Sequence, residues 1–448
     1  MERILIRLLW IFAVSFTAIR SSLAVTCGQE SDDKLYVWVD DAPDCEADSS
    51  YCPHFGLEYV CESKFISFLP NATCKSGTKV RCSFPDQTVP LETTPVDVIK
   101  VLAYNVYELR YLYFQSGQRE RTCRVVPEVL KMHPDLDVIV FNEVFMGGCF
   151  PPDADITEDN KLTIRQILEQ YGFPHYTKTV GSWEPTKRQP ENGGIFIASK
   201  WPIVKNDSMV FETLSTQGDS LMRKGVSYAR VMKSVEGKST IYNIFGTHLQ
   251  AYERTNTSLI RVLQAGEMYD FMKQQDISPN EPVIYAGDLN ADSANKPNHS
   301  AEVIDALHAT LPTITGELEF TYDRVENDVF DGTGSDRKWL DYVLYSYEHQ
   351  QPNTATLEPV RPKSAEPMEL CMSAVAITPC YGDSDRCREF WNVSDLSDHY
   401  AVLGTFSFPY AEETSTERQP STPQGRASYT RFCPFMIFFV LLAFKTLI

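Results

Sequence analysis

Five apolar runs in this chain, each the length of one β-strand, stop at polar side chains that would be costly to bury unless they worked there or were fully paired. Asn105 ends Val101-Leu-Ala-Tyr-Asn105, Glu143 ends Val138-Ile-Val-Phe-Asn-Glu143, and His248 ends Tyr242-Asn-Ile-Phe-Gly-Thr-His248. Asp288 and Asn290 end Tyr285-Ala-Gly-Asp-Leu-Asn290, and Asp398 and His399 immediately precede the run that starts at Tyr400. Any one of these reads as a turn or cap residue. As a set they require a sheet-rich body that brings several strand ends together. A carboxylate and an amide two residues apart share one face, where one group can orient a metal or water and the other a phosphate oxygen. An adjacent Asp-His pair supplies a proton shuttle. The combination points to metal-dependent phosphoester hydrolysis.

Short β-rich runs alternate with amphipathic segments from Val96 to about Phe408. Strands are expected over Val98 to Asn105, Val138 to Phe141, Gly194 to Ala198, Ile241 to Gly246, Pro282 to Gly287, Leu340 to Tyr345 and Tyr400 to Phe408. Helical spacing is clearest in Leu162, Ile164, Ile167 and Leu168, and in Leu259, Val262, Leu263, Met268, Phe271 and Met272. Strands flanked by helices favour an α/β sandwich over an all-β barrel. No internal repeat is present.

The flanking regions read differently. Arg3 and Arg7 border an apolar stretch, and Ser22-Leu23-Ala24 fits a signal-peptidase site, so residues 1–24 are expected to be a signal peptide. Residues 25–94 carry Cys27, Cys45, Cys52, Cys61, Cys74 and Cys82, expected as a small disulfide-stapled module whose pairing is open, with zinc the weaker alternative. The 12 cysteines read as two groups, the second including Cys371, Cys380 and Cys387. Sequons at Asn71, Asn206, Asn256, Asn298 and Asn392 agree with a secretory route. A Ser/Thr/Pro-rich linker (411–431) leads to an apolar tail (432–448), the pattern of a glycolipid-anchor signal, with a spanning helix as the alternative. The catalytic region is then 95–410. A net charge of −19 disfavours a phosphate backbone as partner, so no nucleic acid is expected.

Asn-Glu-Val-Phe (142–145), Gly-Gly-Ile-Phe-Ile-Ala-Ser-Lys-Trp-Pro-Ile (193–203), Gly-Thr-His-Leu-Gln-Ala (246–251), Gly-Asp-Leu-Asn (287–290), Leu-Asp-Tyr (340–342) and Ser-Asp-His-Tyr (397–400) occur in this order. The order resembles that of the endonuclease/exonuclease/phosphatase superfamily, and the Asn-Glu-Val-Phe, Ser-Lys-Trp-Pro-Ile and Thr-His-Leu-Gln-Ala runs resemble its neutral sphingomyelinases C of secreted bacterial type. The resemblance covers about Val96 to Phe408. It implies a DNase I-like four-layer α/β sandwich, two packed sheets flanked by helices, and a phospholipase C acting on sphingomyelin or related choline phospholipids in a membrane surface. It further implies Mg²⁺, with Mn²⁺ or Co²⁺ as substitutes, held by Glu143 with Asn105 close by, and a peripheral metal at Glu191. Asp288 and Asn290 would face the phosphate and the attacking water. His399 would be the general base, oriented by Asp341 or Asp398. His248 would stabilise the phosphate or protonate the leaving ceramide oxygen, two histidines near their ordinary pKa dividing the work. Membrane contact would come from Met368 to Trp391 or from Tyr111-Leu-Tyr-Phe114; the remaining histidines read as structural or solvated. The rival readings are a DNase I-like secreted nuclease and a catalytically silent surface binding protein with an unknown partner for the cysteine-rich module.

Overall fold

The computed structural model describes residues 27, 35–39, 45, 47–63, 74–84, 90–109, 115–150, 162–182, 189–213, 217–330, 332, 334–373 and 390–410. The described residues, all within 1–410, form one unit.

Two sheets make the body. The first has seven strands. From edge to edge they are Thr313–Ile314, Thr354–Val360, Ala401–Ser407, Val98–Glu108, Val138–Val144, Phe196–Ser199 and His175–Tyr176. The second has six, in the order Ile203–Val210, Gly225–Val235, Lys238–His248, Val283–Asp288, Asp341–Ser346 and Ala309–Thr310. The strands needed below are β1 (Val98–Glu108), β2 (Val138–Val144), β3 (Lys238–His248), β4 (Val283–Asp288), β5 (Asp341–Ser346) and β6 (Ala401–Ser407). Alternation along β1 and β2 explains the layering. Val101, Ala103, Val138 and Val140 join one buried cluster with Tyr228, Ile244 and Val343 of the second sheet. Leu102, Tyr104, Ile139 and Phe141 join another cluster with Val126, Val129, Ile164 and Leu168. That second group stands on helices α1 (Gln118–Met132) and α2 (Ile164–Gln170), while α3 (Thr257–Lys273) packs on the outer face of the second sheet through Ala265, Met268, Phe271 and Met272. Helix, sheet, sheet and helix follow one another, the expected four layers.

All seven expected strands exist, each within a few residues of its expected bounds. Ile164, Ile167 and Leu168 are buried in α2, whereas Leu162 is buried in a two-residue strand, Leu162–Thr163, just before it. The α3 reading needs correction: Leu259 and Leu263 are exposed, and Thr257, Arg261 and Gln264 occupy the buried face instead.

The cysteine-rich segment forms a three-stranded sheet, Tyr36–Val39, Lys79–Ser83 and Glu58–Ser63, stapled by Cys27–Cys61, Cys45–Cys74 and Cys52–Cys82. Its Val37, Phe55, Leu57, Val80 and Phe84 belong to the same cluster as α1 and α2, so it shares the core of the catalytic region. Arg124 of α1 donates to the His54 carbonyl at 3.0 Å, and His54 pairs with Glu120 at 3.1 Å. The two-group reading of the cysteines is also corrected, because Cys123 of α1 is bonded to Cys149. Sequon residues Asn206, Asn256, Asn298 and Asn392 are exposed. Asn71, Tyr111 to Phe114, Val375, Ile377, Cys380, Cys387, the leader and the tail lie outside the described residues, whereas Met368 and Leu370 are core side chains. Among the described residues no helix is long and apolar enough to cross a membrane.

Candidate active site

Strand register aligns the polar ends. β3 runs parallel to β4 with His248 opposite Asp288, and β4 runs antiparallel to β5 with Asp288 opposite Asp341. In the other sheet Asn105 of β1 lies opposite Asn142 of β2. A register shift between Asn105 and Glu108 breaks the β1–β2 ladder just past this point, a device that re-aims side chains at a sheet end. Gly287 is required immediately before Asp288: its φ is +138°, and a Cβ there would meet the Thr247 carbonyl oxygen at 1.9 Å. Four non-glycine residues with positive φ, Tyr107 (49°), Glu143 (60°), Tyr252 (65°) and Asn290 (49°), all line one cavity of about 340 Å³. Backbone strain is thus gathered where the polar groups converge.

Asn105 bridges the sheets. Its Nδ2 donates to Glu143 Oε1 at 3.0 Å and to Asp288 Oδ2 at 3.2 Å, while its Oδ1 accepts from the Tyr107 amide. Asp288 Oδ1 accepts from the Asn290 amide at 2.8 Å, and the Asn290 side chain reaches the Leu249 carbonyl at 3.3 Å. His399 Nδ1 lies 2.9 Å from Asp341 Oδ2, and its Nε2 faces Asp288 Oδ2 at 3.9 Å. Of the two carboxylates proposed to orient His399, the structure selects Asp341. Asp398 lines the cavity beside them.

Burial, reinforced by Asp398, pushes the Glu143 carboxyl up to about 7. Burial and the neighbouring Asp341 push Asp288 up to about 7. Burial also raises Asp398, against His399 and Arg121. The histidines move in opposite directions. Burial would depress His399, but Asp341, Asp398 and Asp288 outweigh it and hold it well above the usual range. Burial, then Lys224 and His399, hold His248 well below it. Two histidines near their ordinary pKa are therefore not what this site contains.

Glu143, Asp219, Asp288 and Asp398 line the cavity with Asp341 behind His399, against Lys338 in the wall and Lys224 behind His248, so carboxylates outnumber lysines among the described residues there. Hard oxygen donors with surplus charge fit a divalent cation such as Mg²⁺. Glu143 Oε1 and Asp288 Oδ2 are the pair drawn together by one amide, so Asp288 as well as Glu143 could offer an oxygen to a cation. Asp288, Asp341 and His399 also present ligand atoms within 4.8 Å of one another. Glu191 is buried outside the cavity, where its Oε1 accepts from the Asn192 amide and side chain.

Residues 102–399, well over half the chain, match the Endonuclease/Exonuclease/phosphatase family. The chain belongs to that family. It is similar to Sphingomyelinase C of Bacillus cereus, 29% identical over 323 residues that cover 69% of this chain and 89% of that protein. Sphingomyelinase C of Listeria ivanovii is 26% identical, with 68% of this chain and 85% of that protein covered. The fold matches the crystal structure of Sphingomyelinase C from Streptomyces griseocarneus, with TM-score 0.55, 24% identity, and 70% and 99% of the two chains covered. It also matches a Staphylococcus aureus beta toxin variant with bound magnesium ions, with TM-score 0.54, 23% identity, and 68% and 98% covered.

The family motifs did not mark every residue that builds the site. Lys224 is buried, with Nζ 3.0 Å from His248 Nε2, 2.8 Å from Asp219 Oδ2 and 3.0 Å from the Leu249 carbonyl. Its ammonium donates to the imidazole, which fixes the Nε2 lone pair toward Lys224 and keeps His248 neutral. Asn142 is fully buried; its Nδ2 donates to the Thr247 carbonyl at 2.9 Å and its Oδ1 accepts from the Asp288 amide at 3.0 Å, so it ties β2 to β3 and β4. Tyr107, Tyr252, Tyr322 and Lys338 complete the cavity wall. Asn142 sits in the Asn-Glu-Val-Phe run, where the signal was present; Lys224 precedes a strand with no motif around it.

Proposed function

We propose that the protein is a Mg²⁺-dependent phosphodiesterase of the phospholipase C type that hydrolyses sphingomyelin to ceramide and phosphocholine. The observation that carries this reading is the Asn105-bridged Glu143 and Asp288 carboxylates beside the His399–Asp341 dyad in one cavity, in a chain similar to sphingomyelinases C. Glu143 and Asp288, with Asn105 adjoining, would hold Mg²⁺, which would supply neutralisation of phosphate charge. His399 Nε2 takes the proton of the attacking water, and Asp341 fixes the tautomer by accepting the Nδ1 proton. The Asn290 side chain donates through Nδ2 to a phosphate oxygen. Neutral His248, whose Nε2 accepts from the Lys224 ammonium, holds that positive charge beside the developing phosphate charge, and its depressed pKa disfavours protonation of the leaving oxygen by His248. One water is consumed: its oxygen bonds to phosphorus, the bond between phosphorus and the ceramide oxygen breaks, and that oxygen takes a proton from solvent, to which His399 returns the one it accepted.

Mixed micelles of sphingomyelin should release phosphocholine with Mg²⁺ and stop on addition of EDTA, while supercoiled plasmid stays intact. EDTA-sensitive plasmid nicking without phosphocholine release would overturn the reading in favour of a nuclease.

We further place the protein on the extracellular face of the plasma membrane, held by a glycolipid that replaces the apolar tail. The four disulfides among the described residues use eight of the 12 cysteines; the other four are Cys371, Cys380, Cys387 and Cys433. Loss of Cys433 with the tail leaves an odd number, hence one free thiol or an intermolecular bridge. Phosphatidylinositol-specific phospholipase C should release the protein from intact cells. A peptide spanning Phe432 to Lys445 recovered from the mature membrane-bound form would refute this.

A further inference from the structure

Arg121 takes part in none of the steps above, yet it is fully buried with its side chain turned toward the site-bearing strand ends. Nε donates to the Ser116 carbonyl at 2.8 Å. Nη1 donates to the carbonyls of Val106 and Leu396, both at 2.9 Å, and Nη2 to the Tyr107 carbonyl at 2.6 Å and Ser116 Oγ at 3.1 Å. No carboxylate lies within ion-pair distance of it among the described residues. Burying a guanidinium whose counter-charges, Asp398 and Glu108, lie beyond ion-pair distance is expensive, and packing alone would be served at lower cost by an apolar side chain of similar volume. What the guanidinium supplies is a planar fork of five donors, matched here to carbonyls where the strand ladders stop.

Those carbonyls locate the effect. Val106 and Tyr107 directly follow Asn105, and Leu396 directly precedes Ser397-Asp398-His399. One rigid group therefore joins the backbone of the amide that bridges the two carboxylates to the backbone of the base. Ser397 Oγ adds a parallel tie, donating to the Asn105 carbonyl at 2.6 Å. The helix carrying Arg121 is itself fixed to the segment after Glu143 by Cys123–Cys149. Beside it, the Glu108 carboxylate accepts from the amides of Gly147 at 3.3 Å and Gly148 at 2.7 Å.

We propose that Arg121 is a positioning residue, setting the placement of His399 relative to Asn105 and its two carboxylates; this rests on the roles given to those residues above. Arg121→Lys keeps the charge but cannot reach all four carbonyls. It should unfold as cooperatively as the parent, lower kcat on a water-soluble nitrophenyl phosphodiester by roughly 30- to 100-fold, and leave KM within about threefold, because misplacement of about 1 Å costs on that order. Mg²⁺ affinity, read by titration calorimetry without substrate, should weaken by about tenfold or more. In a His399→Ala background the same change should cost less than about threefold, since Arg121 acts through that base. Ser397→Ala, which removes the parallel tie together with the bonds from Ser397 Oγ to Asp398 Oδ1 at 3.3 Å and from the His399 amide at 3.2 Å, should show the same pattern more weakly and serves as the reading if Arg121→Lys does not fold. A kcat within about threefold of the parent with unchanged Mg²⁺ affinity, or a loss fully additive with His399→Ala, overturns the positioning role. Failure of the parent to release phosphocholine while it binds Mg²⁺ and cleaves the soluble diester would instead remove the sphingomyelin reading and leave this one standing.

Discussion

Glu143→Gln should lower turnover by roughly 10³-fold or more at saturating Mg²⁺, because it removes a charged oxygen donor from the carboxylate pair on which the cation and the phosphate both depend. The same substitution should raise the stability of the metal-free protein at neutral pH. Burial, with Asp398 nearby, pushes Glu143 up to about 7, above its ordinary 4.5. A carboxyl raised in the folded state contributes stability below its unfolded pKa and loses it as pH rises through the folded value. Above about pH 7 the wild-type protein therefore carries a buried charge that glutamine lacks, and the gain from substitution should vanish below about pH 4.5. Thermal unfolding with EDTA at pH 8 and pH 4, beside turnover with Mg²⁺, checks both signs. Activity above about a tenth of the parent would remove Glu143 from direct contact with the cation.

The strand ends were legible in the sequence because each is local: an apolar run followed by a polar residue is visible without knowing its neighbours. Asn105, Glu143, His248, Asp288, Asn290 and His399 were all found this way, and the structure brings all six to one end of the two sheets. Their partners were harder to find. Asp341 and Asp398 were equal candidates for orienting His399, since sequence proximity favours Asp398 while only the pairing of β4 with β5 brings Asp341 to the imidazole. Lys224 and Asn142 act across strands, and no periodicity records such contacts.

Helix α1 was missed for a related reason. Gln118, Glu120 and Arg121 are buried at its start, so the apolar positions of its inward face, Cys123, Val126, Val129 and Leu130, begin only after a polar first turn. Conversely, Leu259 and Leu263 suggested a core face on α3 that Arg261 in fact occupies, donating to the carbonyls of Gln250 and Tyr252 and pairing with Glu253. Both errors fall where a helix holds an active-site loop, which needs buried donors in place of apolar surface.

His399→Ala and His248→Ala should each lose at least about 10²-fold in turnover, with different pH signatures. The carboxylates around His399 hold it protonated to higher pH than an isolated imidazole, so turnover in the parent should fall as pH drops and the base is occupied by its proton. Cation binding to Glu143 and Asp288 withdraws part of that negative field and moves the acid limb to lower pH, which makes its midpoint depend on Mg²⁺ concentration. His248→Ala should keep this limb, because burial and the Lys224 ammonium keep His248 neutral across the same range. His399→Ala should flatten it. The two groups face one phosphate and serve the same transition state, so the double variant should fall little below the weaker single variant. Measuring kcat/KM from pH 5 to 9 for the parent, both single variants and the double variant tests these statements together. Full additivity of the two losses, or loss of the acid limb in His248→Ala, would mean that His248 carries a proton in the reaction, against the geometry that points the Lys224 ammonium at its Nε2.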